Sequence, residues 1–407
     1  MRLALIAAAT LAGAVAPALA QFGQNHVITR DFAWKIRSTE HFDLYYYEDS
    51  APLVGQAAEV LEKGFEDVAR KLDIPTEPPI WVSEKERKKL EWRKRPFFIY
   101  ASPNDFRQSN IARPGDGTGG ITEPFKDRFM VYHDGSKQWF EEVTTHEFVH
   151  IMQFHVLITG FWRSGRILKT IVYPLWMMEG MAGYLTYGIE SALEETTLRD
   201  AATSGGLLPL VRIERFGHLK PHQVSLAYKQ GSAAMSFLAE QYAERKVGDM
   251  LRLFESRLES GQVLTELIGL DAFEFDKKYR EWLENRYRRT VRVEKLREPT
   301  AFGGALTKRP DNIPQFNSSP VFSPDGRTMY FVSTGEPYPP RLESVDLRTG
   351  RRRKLAGLPY GKVETLPLGH FANLSRVLDI SPDGKRLAFA GTKNHTDAIY
   401  LYDIERK

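Results

Sequence analysis

The chain has 407 residues, no cysteine, 27% charged residues and a formal net charge of +4. This length calls for more than one domain. The absence of cysteine excludes thiol catalysis, disulfides and cysteine-ligated metal, and the well-mixed charge gives no sign of nucleic acid as a partner.

Residues 1–20 read as a secretory signal. Arg2 supplies a short basic region, Leu3 to Ala16 is almost wholly apolar, and Ala18-Leu19-Ala20 fits a cleavage site. The mature chain would begin at Gln21 with no lipoprotein-type cysteine. An exported chain without disulfides suits a bacterial periplasm, with release outside the cell as the other destination. No later stretch reaches the ~20 apolar residues of a membrane span. His41 to Tyr47 reads as a mostly buried strand, and Ala51 to Leu72 as a helix closed by Pro75 and Pro78-Pro79. The basic clusters Arg87-Lys88-Lys89 and Arg351-Arg352-Arg353-Lys354 read as solvated faces. Phe97 to Ala101 is a second strand. Arg113 to Gly120 is a loop by composition, and Gly119 to Glu123 reads as flexible loop too. Phe129 to Tyr132 is a short strand.

His146-Glu147-Phe148-Val149-His150 follows. On a helix, positions i and i+4 share a face, so His146 and His150 can present two imidazoles to one tetrahedral metal. Glu147 projects about 100° round the helix, where it can reach a water on that metal as general base. The same spelling also occurs in ordinary amphipathic helices. A second segment, Trp176-Met177-Met178-Glu179-Gly180-Met181-Ala182-Gly183-Tyr184, starts after Pro174 and sets one carboxylate in an apolar run. Glu179 is either at an exposed turn or paired, because an unpaired buried charge costs several kcal/mol, on the order of ~3–5. Two His and one Glu with a fourth position open make a catalytic rather than a closed structural zinc site. Gly180, Ala182 and Gly183 are small enough to let this helix pack closely on the His146 helix.

These two segments together resemble the gluzincin clan of metallopeptidases, specifically its peptidase-MA-like group, over residues 40–260. The resemblance implies that His146, His150 and Glu179 bind one zinc ion per chain and that Glu147 is the general base. It also implies an edge strand along the cleft just ahead of the first motif, at Phe129 to Tyr132, to which a peptide substrate adds by backbone pairing. Metzincins need a third His six residues after the second, and position 156 is Val; His155 faces elsewhere, as a surface or core histidine. Thermolysin-like members carry an acidic residue four positions after the ligand Glu. Here that position is Gly183, so whatever orients the imidazoles comes from elsewhere.

A less regular stretch with Gly205-Gly206 and Pro209 comes next, then helical patterns at Ser225 to Arg245, Val247 to Leu258 and Phe273 to Tyr287. Tyr228-Lys229-Gln230-Gly231 resembles the Y-x-x-G of gluzincin aminopeptidases, whose Tyr stabilises the oxyanion. A Tyr hydroxyl is a sound donor for that task. The alternative is a ring in the core with its hydroxyl to water, and His218 and His222 are rivals for the role. The basic segment Arg286 to Arg297, then Pro299 and Gly303-Gly304, marks a domain boundary near residue 300.

Beyond it, Ser323-Pro324-Asp325-Gly326 and Ser381-Pro382-Asp383-Gly384 each sit between strand signals, 58 residues apart. They resemble the Tol-type, WD40-like β-propeller repeat. Two blades cannot close a propeller of four to eight, so the chain is expected to be the N-terminal part of a longer protein, or to be completed by another chain. The expectation is an α+β zincin-like metallopeptidase domain over residues 21–300, followed by all-β propeller blades over 301–407. Its function would be zinc-dependent hydrolysis of a peptide or protein, with the propeller binding a protein partner or restricting access. The alternative is a non-catalytic propeller scaffold with a structural peptidase-like domain.

Overall fold

The computed structural model describes residues 30–74, 83–84, 92–108, 118–124, 126–157, 173–189, 191–254, 256–257, 259–294, 297, 299–307, 317–333, 341–356, 377–393 and 396–406, with backbone alone at 192–193, 221–222, 289–294, 299, 356, 392–393 and 396–397. The signal reading at 1–20, the prolines at 75 and 78–79, the basic run 87–89 and the loop at 113–117 lie outside the described residues. The chain divides into two compact units, Met1–Glu294 and Lys295–Lys407.

In the first unit, alternation builds a five-stranded mixed sheet. Its strands are β1 (Lys35–Ser38), β2 (Phe42–Tyr46), β3 (Arg95–Tyr100), β4 (Gly120–Glu123) and β5 (Arg128–Tyr132), in the order β1-β2-β3-β5-β4. The pairs β2/β3 and β3/β5 are parallel, and the outer pairs β1/β2 and β4/β5 are antiparallel. Period-two spacing sends Phe42, Leu44, Phe97, Ile99, Phe129 and Val131 to one buried face. Helix α1 (Val54–Lys71) buries Val54, Ala57, Leu61, Phe65 and Val68, the three-and-four spacing of an amphipathic stripe. Helix α2 (Lys137–Leu157) is buried nearly all round in its middle, from Glu147 to Phe154. Phe148 of α2 meets Phe42 edge-on, with ring centroids 5.4 Å apart. Helices α3 (Leu175–Thr186), α4 (Ala192–Ser204), α5 (Pro221–Tyr242), α6 (Arg245–Leu253), α7 (Ser260–Ile268) and α8 (Ala272–Glu294) follow. No helix among the described residues is long and apolar enough to cross a membrane.

Several expectations need correction. Gly119 to Glu123 is not a flexible loop: 120–123 forms β4, in register with β5 from Gly120 opposite Val131 to Glu123 opposite Arg128. Phe129 to Tyr132 is therefore an interior strand, and β4 is the edge strand beside it, with β1 at the opposite edge among the described residues. The glycines are there because the strand lies hard against α2. A Cβ on Gly120 would sit 2.5 Å from Glu147 Cγ, and one on Gly119 would sit 3.1 Å from the Trp139 ring. The stretch read as irregular contains α4, opened by Ser191, whose hydroxyl accepts from the Glu194 N–H at 3.3 Å, and closed by Gly205 at φ 73°. The pattern from Ser225 to Arg245 breaks at Ala243, φ 119°, and α7 is a further helix that the sequence pattern does not announce.

The second unit holds two antiparallel meanders. One has β6 (Asn317–Phe322), β7 (Thr328–Ser333), β8 (Arg341–Asp346) and β9 (Arg352–Ala356); the other has β10 (Leu378–Ile380), β11 (Arg386–Lys393) and β12 (Thr396–Asp403). The two S-P-D-G turns repeat one hydrogen-bond pattern. Asp325 accepts from Ser323 Oγ at 2.6 Å and Arg327 N at 3.0 Å, while Asp383 accepts from Ser381 Oγ at 2.5 Å and Lys385 N at 3.0 Å. Gly326 and Gly384 supply φ 69° and 73°. Val321, Tyr330, Val332 and Leu342 of one sheet share an apolar cluster with Leu378, Leu387 and Phe389 of the other. No closed propeller or barrel is present among the described residues.

Candidate metal centre

The central turn of α2 carries His146 and His150 on one face, and α3 carries Glu179 opposite. Both imidazoles aim at one carboxylate oxygen: His146 Nε2 lies 3.2 Å and His150 Nε2 3.3 Å from Glu179 Oε2. The two rings stand nearly perpendicular with centroids 4.9 Å apart. One donor atom from each residue lies within 4.8 Å of the others, and the group could hold a metal ion. The donor chemistry fits: two imidazole nitrogens and a carboxylate oxygen are N and O ligands suited to a divalent ion. Glu179 is thus paired rather than exposed at a turn.

The charges explain one another. Burial works to raise the proton affinity of Glu179, but His150 and His146 outweigh it and hold the carboxyl well below the usual range. Burial works to lower His150, yet the Glu179 carboxylate overrides it and carries the imidazole up to about 9. Glu147 stands beside the group, not in it. Burial raises its proton affinity against the pull of His150, His146 and Thr122. Its Oε2 accepts a hydrogen bond of 2.6 Å from Thr122 Oγ1 on β4, a hydroxyl also 3.0 Å from the Glu147 main-chain oxygen.

What sets the distance of α3 is a backbone crossing. A Cβ on Gly180 would lie 2.4 Å from the main-chain carbon and oxygen of Gly231, and one on Gly231 would lie 2.6 Å from the Trp176 oxygen. A Cβ on Gly183 would lie 2.0 Å from Ser232 Oγ. Gly180 and Gly183 therefore face α5, not the His146 helix as the small-residue pattern suggested. The contact also explains why a glycine follows Tyr228 at the third position. Tyr228 comes near the group: the Glu179 charge, then burial, then Glu147 raise its phenol well above the ordinary range. Its ring packs edge-on against Phe216 at 5.1 Å. His218 is exposed, and the side chain of His222 lies outside the described residues. His155 is neither ligand nor surface residue; it is partly buried against Trp92, with ring centroids 5.2 Å apart.

Sequence reasoning passed over four residues here. Gln153, fully buried, accepts at Oε1 from His150 Nδ1 at 2.8 Å and donates from Nε2 to the Met178 oxygen at 2.9 Å. Its i+3 spacing from His150 was the available signal. Thr122 and Gly120 were hidden by the loop reading. Tyr187, at the end of α3, is raised by burial and by the charges of Glu194, Glu179 and Glu142; nothing in the sequence set it apart. Comparison with known proteins finds no matching family model and no matching curated protein.

Proposed function

We propose that this chain is an exported, zinc-dependent peptidase of the gluzincin type, joined to propeller-type blades. The observation that carries the reading is the convergence of His146, His150 and Glu179 on one point with a fourth group, Glu147, beside it and not part of it. Zinc bonds of about 2.0–2.1 Å at tetrahedral angles put donor atoms about 3.3 Å apart. The two His-to-Glu179 separations of 3.2 and 3.3 Å agree with that spacing. When bound, zinc supplies a Lewis acid that polarises a carbonyl and acidifies water.

The chain's own residues divide the remaining work. Thr122 holds Glu147 by Oε2, which leaves Oε1 to take the proton of the attacking water and return it to the leaving nitrogen. Burial makes Glu147 a stronger base than a free carboxylate. Tyr228, kept protonated by the field of Glu179 and by burial, remains a donor for the developing oxyanion. The edge strand β4 carries both Gly120 and Thr122 against Glu147. An extended peptide pairing with β4 would therefore run past the base, which favours peptide bonds as the substrate. The repeated S-P-D-G meanders support the blade reading, with partner binding or access control as their role.

The test is metal content with turnover. The purified protein should hold one zinc per chain, lost in His150→Ala. Glu147→Gln should keep zinc while hydrolysis of an unbiased peptide library falls by about 10²–10⁴. Absence of metal sinks the reading. Metal without Glu147-dependent turnover would point instead to a metal-holding scaffold.

A further inference from the structure

The geometry points to Gln153 as the positioning residue that fixes the orientation and tautomer of His150 for metal. The inference rests on the metal reading above and adds how the second histidine is held. The argument is one of donors and acceptors. The Met178 main-chain oxygen can only accept, so the Gln153 group 2.9 Å from it must be the amide nitrogen. The other end of that amide, facing His150 Nδ1 at 2.8 Å, is then the oxygen, which can only accept. Nδ1 must therefore carry the proton. In the neutral ring this leaves the lone pair on Nε2, the nitrogen aimed at Glu179 Oε2 and the donor point. Gln153 is wholly buried, so no water competes for either bond.

The same amide joins the two ligand-bearing helices. Met178 immediately precedes Glu179, so one side chain links His150 on α2 to the main chain beside the carboxylate on α3. Position 183 does not do this work: it has no side chain, and a Cβ there would face α5, 2.0 Å from Ser232 Oγ.

Two substitutions separate orientation from simple stapling of helices. Gln153→Met keeps length and apolar volume but loses both hydrogen bonds. Gln153→Glu keeps an acceptor for Nδ1 and loses the donor to Met178. Zinc affinity of the full chain is read by competition with a chromophoric chelator, and stability of the metal-free forms by urea unfolding. Gln153→Met should weaken zinc binding by about 10–100-fold, the usual effect of removing a partner of a ligating histidine. Gln153→Glu should bind zinc as tightly as the wild type or more tightly, though it unfolds at lower urea. Unchanged affinity in Gln153→Met overturns the inference, as does an equal loss in both variants, which would assign the effect to the Met178 bond. If Gln153→Met does not fold, Gln153→Glu decides alone, and a loss of about tenfold or more in that variant overturns the inference. Wild-type protein that binds no zinc removes the metal reading and this inference together; wild-type binding with indifferent variants removes only this one.

Discussion

Gly180→Ala tests the contact on which the site's dimensions depend. The added Cβ would fall 2.4 Å from the main-chain carbon and oxygen of Gly231. Carbon atoms rest at about 3.5–4.0 Å, so α3 and α5 must separate by roughly 1 Å. The obstructing atoms are backbone of a buried helix, so no rotamer change relieves the clash. Overpacking of this kind costs about 1–3 kcal/mol, and alanine's better helix propensity returns about 1 kcal/mol. A net destabilisation of about 0–2 kcal/mol follows, instead of the gain expected where the added atom meets open space. All seven tryptophans precede residue 295, so their fluorescence during urea unfolding reports the first unit alone. The control is Gly55→Ala on α1, where nothing lies within 4 Å of the added atom; it should gain about 0.4–1 kcal/mol. Because Glu179 adjoins Gly180, a shift of roughly 1 Å should also cost on the order of 100-fold in peptide hydrolysis. Gly180→Ala protein stabilised as much as the Gly55→Ala control would refute the crossing geometry, whatever the protein's activity.

Thr122→Val removes the hydrogen bond to Glu147 Oε2 at nearly constant shape. Steady-state hydrolysis should drop by about 10–100-fold, the worth of a bond to a charged group, with Thr122→Ser retaining most activity; wild-type rates in the valine variant would deny Thr122 this role. For His155, burial, and secondarily Arg95, lower the folded-state value to about 4 from about 6.5 when unfolded. Below pH 6.5 the unfolded chain takes a proton that the folded chain refuses, so stability present above that pH is lost as pH falls toward 4, by at most about 3 kcal/mol. His155→Phe should flatten the urea midpoint between pH 6.5 and 4.5, and an unchanged slope would assign the loss to other groups. Chelation should remove zinc yet leave cooperative tryptophan-detected unfolding, lowered only by binding linkage of about 4 kcal/mol at a thousandfold excess over Kd; loss of the transition would mean that metal binding and folding are one event.

The candidate metal-holding group was legible because its geometry is local. Helical spacing alone brings His146 and His150 to one face, and a lone carboxylate in an apolar run needs a partner. What the sequence hid was relational. Gly120 looked like loop chemistry because its reason is the neighbouring Glu147 side chain, which no local pattern contains. Gly180 and Gly183 were recognised as close-packing residues, but a helix with apolar residues on every side does not say which neighbour its small residues face. Helix α4 was missed because Thr196, Thr197 and Asp200 weaken its propensity, although Ser191 and Gly205 marked both ends. Gln153 resembled any buried polar residue until its two partners were known. In the second unit the turns were readable, since proline, aspartate and glycine act within four residues.

The restraints on the site come from different neighbours, and none of them needs the metal. Gly180 against Gly231 sets the spacing of α3 and α5; Gln153 ties His150 to the main chain beside Glu179; Thr122 ties Glu147 to the sheet. A carboxylate or imidazole that is free to rotate must be ordered when a metal binds, at up to about 1.5–2 kcal/mol for a long side chain such as Glu. Here that ordering occurs during folding, driven by the aromatic core around Phe42, Phe97 and Phe148. A metal ion binding there would meet donors already aimed at one point, and less of its binding energy would be consumed in arranging them. The cost of this arrangement is a buried carboxylate before metal arrives. The two imidazoles offset it, because their nitrogens face the same Glu179 oxygen and His150, its proton affinity raised by that carboxylate, can carry the balancing proton. Preorganisation and charge balance therefore come from the same three side chains, which is why replacing any one of them should disturb the metal-free protein as well as the loaded one.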